Sequence, residues 1–284
     1  MFAEKFEYHV PGSLAEATQL LSQYGDEAKV ITGGMSLIPL MKLRLAMPSH
    51  LVDLRKLADL KGVRESGGKL VIGAGMTYDE VSRDKTVLAK CPVLAQAAAV
   101  VGDVQVRNRG TIGGALVHAD PAADVPAAAI ALEAEVTLQG KQQRTVKVSD
   151  FIVDSLLTSI EPDEVLVSIT VPVTGRHTAY AKLPQQASGY PLVGVAAVLE
   201  MDGKTCKRAR IGVTGLCGKA FRAASVEEAL AGKTLDAASI KAAADALASD
   251  ITDPLEDPLN GSVEYRAHVA KVYTGRALQQ AMGA

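Results

Sequence analysis

Residues 107–124 read RNRGTIGGALVHADPAAD. A threonine, two adjacent glycines and a run of small residues, with His118, Asp120 and Asp124 close behind, is a density of polar groups uncommon in a plain loop. Thr111, Gly113 and Gly114 offer a hydroxyl and backbone N–H donors unscreened by side chains, which is the chemistry that holds an anion. Plainer readings stand beside it, with Asp124 as a helix cap and His118 as a satisfied structural histidine. Upstream, residues 32–36 read TGGMS. There Gly33 and Gly34 break a short strand expected to be buried at 29–32, and Ser36 is placed to cap a helix that tolerates Pro39 in its first turn. The positive end of that helix would point at a phosphate, although the pentapeptide alone is also an ordinary tight turn. Two such glycine loops in one unit direct the search to a diphosphate.

Around the loops, strands and helices are mixed. Residues 6–10 read as a strand, and Ser13 caps a helix whose Leu14, Ala17, Leu20 and Leu21 recur at helical spacing. Strands are expected at 51–54, 70–72, 135–138 and 165–171. Helices are expected at 78–87, at 93–101 and from near Asp124, the last carrying Val125, Ala128, Ala129 and Leu132. From about Arg176 the character changes. Strands at 178–183, 193–201 and 209–214 precede alanine-rich helices at 225–231, 237–248 and 263–282, the order of a separate α+β domain with a three-stranded antiparallel sheet. Pro172 and Gly175 mark the link, which divides the chain into 1–175 and 176–284.

Composition removes several function classes. The 284 residues carry 30 basic and 32 acidic side chains, a net charge of −2, and no basic cluster accompanies the few aromatics, so nucleic acid is not an expected partner. No apolar run approaches the roughly 20 residues of a membrane-spanning helix, and residues 1–10 lack the layout of a secretory signal; a cytoplasmic protein is expected. Cys91, Cys206 and Cys217 are too few and too far apart for an all-cysteine iron–sulfur or zinc site, and read as reduced thiols. Without a second histidine or a carboxylate cluster beside His118, no metal site is expected there. The Gly73-Ala74-Gly75 stretch begins like a dinucleotide fingerprint, but Tyr78 stands where a third glycine is required. Neither a GxxxxGK[ST] loop nor a GxSxG elbow is present.

Taken together, Thr32-Gly33-Gly34-Met35-Ser36 with Leu37, Pro39, Met41, Lys42, Arg44 and Leu45, and Thr111-Ile112-Gly113-Gly114 with His118, Asp120, Pro121 and Asp124, resemble the two flavin loops of the medium subunit in the aerobic carbon monoxide dehydrogenase and xanthine dehydrogenase family of molybdenum hydroxylases. The likeness runs on through residues 163–166 and 193–197. It implies an FAD-binding fold of the vanillyl-alcohol-oxidase type, with α+β subdomains of about 1–54 and 55–175, followed by a C-terminal flavoprotein domain. It also implies non-covalent FAD, a large molybdenum-cofactor subunit and a small [2Fe–2S] subunit in a dimer of heterotrimers, and electron flow from the clusters through FAD to an external acceptor. The location implied is cytoplasmic, with the complex able to associate with the inner face of the membrane. In that picture residues 32–36 and Thr111, Ile112, Gly113, Gly114 and Ala115 hold the diphosphate and its neighbours. Asp124, Leu166, Lys182 and Tyr190 then belong to the isoalloxazine end.

A cation at Lys182 would stabilise the reduced, anionic ring, and Tyr190 would cover one ring face; a surface lysine and a turn aromatic packed on the core are the plainer alternatives. The chain departs from many relatives at Gln186, where they carry arginine. Met35 offers no histidine for covalent attachment, so the flavin should dissociate. Two other classes compete: an assembly subunit with an empty flavin site, which the intact glycines oppose, and a free-standing flavin reductase or oxidase, for which His118 is the sole acid–base candidate.

Overall fold

The computed structural model describes residues 2–257 and 259–283. Its first unit is a parallel sheet of β1 (Glu7–His9), β2 (Ala28–Ile31) and β3 (His50–Asp53), ordered β1-β3-β2, with helices α1 (Leu14–Tyr24) and α2 (Leu37–Lys42) in the connections. Ser13 caps α1 by accepting the Glu16 N–H at 3.2 Å, and Ala17 and Leu21 turn inward onto Val52 and Leu54 of the same small core. Two expectations change here. β2 lies at the sheet edge with only Ala28 buried, and the Ser36 side chain makes no capping bond to α2.

The second unit is an antiparallel sheet built from β4 (Val63–Ser66) and β5 (Lys69–Gly73), then β6 (Glu135–Gln139), β7 (Gln143–Lys147) and, after a two-stranded excursion, a long closing strand at Val165–Pro172. Between β5 and β6 run six helices: α3 (Tyr78–Arg83), α4 (Lys85–Lys90), α5 (Pro92–Ala99), α6 (Val104–Arg107), α7 (Ile112–His118) and α8 (Asp124–Ala131). The helix expected at 78–87 is two helices. Asp84 takes an extended backbone and its carboxylate accepts the N–H groups of Thr86 and Val87, which starts α4 afresh. The excursion holds α9 (Val148–Phe151), β8 (Ile152–Asp154) and β9 (Leu157–Thr158); the closing strand, β10, then slots between β5 and β6 to give the order β4-β5-β10-β6-β7.

The third unit is an antiparallel sheet of β11 (Thr178–Pro184), β12 (Pro191–Asp202) and β13 (Thr205–Thr214), the three strands expected, joined at the edge by the two-residue β14 (Phe221–Arg222). Helices α10 (Ala224–Leu230), α11 (Ala237–Ala246) and α12 (Val263–Met282) follow. The near-continuous apolar run along β12 is explained by burial of both faces. Val193, Val195, Ala197 and Leu199 belong to the core under the C-terminal helices, while alternate residues Ala196 and Val198 join the core of the second unit. The element on that second side is α8, every residue of which is buried.

Candidate functional site

The two glycine loops meet. Thr32 Oγ1 and Thr111 Oγ1 lie 3.0 Å apart although 79 residues separate them. Gly33 allows the contact, because a Cβ there would stand 2.1 Å from the Arg109 carbonyl oxygen. The donors of the two loops have opposite fates. Among the described residues, the N–H groups of Gly33, Gly34, Met35 and Ser36 find no acceptor in the protein. In the second loop, Thr111 instead caps α7, so its glycines form the first turn of a helix: Gly114 N–H donates to Thr111 Oγ1 at 3.1 Å, and Gly113 N–H donates to the Ala74 carbonyl at 3.0 Å. The exposed donors expected at Gly113 and Gly114 are therefore already used. The discarded Gly73-Ala74-Gly75 stretch is what they rest on.

A cavity of about 120 Å³ opens between the loops, lined by Thr32, Thr77 and Thr111 and by Arg55, Lys61 and Arg109. Arg55 is held by Asp53 through contacts of 2.6 to 3.0 Å. Burial pushes the Asp53 carboxyl up, but hydrogen bonds from Arg55 and Tyr8 outweigh it and hold the group below its ordinary value. Lys61 donates to the Gly75 carbonyl at 2.6 Å and to Glu80 at 3.3 Å. Arg109 forms no ion pair among the described residues. Hydroxyl-bearing and basic side chains around one small cavity, with the open N–H groups of residues 33–36 following directly on Thr32 in its wall, fit a diphosphate. Arg55, Lys61 and Thr77 were missed in the sequence, and Arg109, although inside the 107–124 stretch, was given no role there.

The second cluster forms at the N-terminus of α8. Asp124 is the first helical residue, with Ala123 at the cap making no side-chain bond, so capping is not the role of its carboxylate. It instead accepts from the Tyr180 hydroxyl at 2.8 Å and from Lys182 Nζ at 2.9 Å. Tyr180 and Lys182 sit two apart on β11 and so share the face turned toward α8. Lys182 is no surface lysine: its side chain is 6% exposed, that of Asp124 is 3% exposed, and Nζ also donates to the Val100 carbonyl at 2.8 Å. Burial pushes the Asp124 carboxyl up to about 6 in spite of the ammonium and phenol beside it. The same burial, then the charge of Asp124, raises the Tyr180 and Tyr78 phenols.

Tyr190 ends a turn in which its carbonyl accepts the Gln185 N–H at 2.7 Å; its ring is half-exposed, and burial followed by Asp120 and Asp124 raises its phenol. Tyr78 connects the two clusters, since its ring lies against Gly110 of the second loop and it feels Asp124, Tyr190 and Asp120. Between Thr111 and His118, α7 spans about 10 Å, so the clusters suit two ends of one elongated ligand. Asp120 accepts the Ala122 N–H in its own turn, and the Pro121 carbonyl accepts from Thr214 Oγ1 and the Gly215 N–H, which ties this segment to the end of β13. Leu166 lies apart from these hydrogen bonds, buried at the bulge in β10. All three cysteines are buried and free.

An anion cradle at one end and a cluster of buried polar and aromatic side chains at the other fit a dinucleotide-flavin domain, and the chain belongs to the family described as FAD binding domain in molybdopterin dehydrogenase, which it matches over residues 4–174. Residues 178–281 match a second family, the CO dehydrogenase flavoprotein C-terminal domain. Within this class the chain is 40% identical over 284 residues to the carbon monoxide dehydrogenase medium chain of Hydrogenophaga pseudoflava, covering 99% of this chain and 98% of that one. It is 38% identical over 282 residues to the 6-hydroxypseudooxynicotine dehydrogenase complex subunit alpha of Paenarthrobacter nicotinovorans, covering 98% and 94%. The solved carbon monoxide dehydrogenase of Hydrogenophaga pseudoflava that lacks the Mo-pyranopterin moiety superposes with a TM-score of 0.95 at 42% identity, covering 100% and 99%. No helix among the described residues is long and apolar enough to cross a membrane.

Proposed function

We propose that this chain is the electron-transfer subunit of a molybdenum hydroxylase complex, receiving electrons from [2Fe–2S] clusters on a small partner chain and delivering them through FAD to an external acceptor. The observation that carries the reading is the junction of the two glycine loops, with a run of free N–H groups at Gly33 to Ser36, in a chain that matches medium subunits along its length. FAD, when bound, supplies a carrier that takes up and releases electrons one or two at a time.

The remaining roles belong to the protein. Residues 32–36 donate to the diphosphate from the backbone, and Arg109 adds charge beside it. Thr111, Ile112, Gly113, Gly114 and Ala115 set the floor on which the first loop sits. Asp124, Leu166, Lys182 and Tyr190 surround the ring end, where the half-exposed Tyr190 limits access to one face. Support for a division into 1–175, itself of subdomains 1–54 and 55–175, and 176–284 comes from the separate sheets and from the two family matches. The large subunit carries the molybdenum cofactor and the substrate pocket, in a dimer of heterotrimers in the cytoplasm. Relatives named for a gas and for a nicotine derivative align with this chain along nearly its whole length, consistent with a substrate choice made elsewhere in the complex.

The test uses the purified complex and the isolated chain. The chain should release FAD in one-to-one ratio and contain neither iron nor molybdenum, and substrate should bleach the flavin only when the iron–sulfur partner is present. Bleaching by substrate without that partner would overturn the proposal.

A further inference from the structure

The parallel pairing of β1 with β3 sets Glu7 opposite His50. Period-two alternation puts Glu7 and His9 on one face of β1 and Tyr8 on the other, where Tyr8 bonds Asp53. On the first face, His9 Nε2 lies 3.1 Å from His50 Nδ1, which lies 3.6 Å from Glu7 Oε2. The three ligand atoms all fall within 4.8 Å of one another. Both imidazoles are braced by Tyr24, the last residue of α1. Its ring stacks on His50 with centroids 3.7 Å apart and planes at 12°, and on His9 at 5.3 Å.

Ligand bonds of about 2.0 to 2.1 Å in tetrahedral geometry set ligand atoms roughly 3.3 to 3.4 Å apart. The distances of 3.1 and 3.6 Å straddle that edge. The Glu7 side chain is 69% exposed and free to turn, so the third edge closes by rotation of the carboxylate. Without an ion, the same contacts are one histidine hydrogen bond and an ion pair with an exposed carboxylate, a weak reason for three ligand atoms to converge. We propose that Glu7, His9 and His50 bind one divalent cation of the zinc class, which two imidazoles and a carboxylate favour over magnesium or calcium, with solvent in the fourth position. Bound there, the ion clamps β1 to β3.

Zinc ion titrated into the full-length, FAD-loaded chain against a chromophoric chelator should show one equivalent with a dissociation constant of about 1 μM or tighter. Glu7→Gln, at an exposed position that leaves packing untouched, should weaken binding about tenfold, and His9→Ala with His50→Ala about a hundredfold or more. Bound FAD reports the fold in each variant. Copper(II) as a second probe should show two nitrogen ligands by electron paramagnetic resonance in the parent and one in His9→Ala. Zinc affinity within twofold of the parent in the folded double-histidine variant would overturn the proposal. If that variant fails to fold, unchanged affinity in Glu7→Gln together with a copper spectrum unaltered by His9→Ala would overturn it equally.

Discussion

The two glycine loops have nearly the same composition and opposite chemistry. Residues 32–36 leave their N–H groups open, whereas Gly113 and Gly114 spend theirs on Ala74 and Thr111. The backbone of the first loop is therefore open to a ligand, while the second meets the first through Thr111, which also lines the cavity. The contrast teaches that a glycine pair signals close approach, but not by itself what approaches. At the other end of the site, Asp124, Tyr180 and Lys182 also satisfy one another, so the polar groups there are closed as those of the second loop are.

The strongest attack on this contrast is Gly33→Val. Its first added atom collides with the Arg109 backbone, so the loops must part. FAD occupancy should fall below about a tenth and unfolding free energy by about 4 kcal/mol, read from flavin absorbance and denaturant melts. Full occupancy with an unshifted midpoint would mean that the loops do not pack this way.

Next in size is Lys182→Met, which strips a buried carboxylate of its cation and should cost about 3 kcal/mol. Removing the ammonium drives the Asp124 carboxyl, already raised to about 6, upward through neutrality, so the pair becomes two uncharged groups and the net charge is preserved. The flavin potential should consequently move by less than about 30 mV, where an unpaired lysine would give a larger drop. Dye equilibration of the two proteins decides between them.

Asp124 also sets a pH signature. Its folded value near 6 lies above the ordinary 3.8, so the folded state binds the extra proton between those values. The contribution is fully present below pH 4 and lost as pH rises through 6, amounting to about 2 to 3 kcal/mol. Melts of the parent across that window should carry this slope, and Asp124→Asn should lack it.

The smallest effect separates the two threonines. Thr111→Val removes a helix cap as well as the bond to Thr32 and should cost about 1 to 2 kcal/mol. Thr32→Val removes only the shared bond, about 0.5 to 1 kcal/mol, and the double variant should fall short of the sum because that bond is counted twice.

Most strands and both loops were legible in the sequence because local chemistry writes them: a glycine pair after a short strand, a serine at position 13, a near-continuous apolar run along 193–201. What was illegible depended on distance or on competition. Nothing near Asp84 announces that its carboxylate divides a helix, and nothing near Gly113 reveals Ala74 as its acceptor. Lys182 read as a lone cation because its partner lies 58 residues away. Tyr180, two positions from it on the same face, was overlooked although alternation placed it there. His9 and His50 are 41 residues apart and share no motif, so only the β1–β3 pairing brings them together.

Burial of α8 on every side has a consequence for biosynthesis. The helix is complete at Ala131, but β12 and β13, which cover its second face, are finished only at Thr214. At roughly 5 to 20 residues per second, a nascent chain keeps that apolar face open for about 4 to 17 seconds. During that interval the open apolar face is the part of the growing chain most exposed to misassociation.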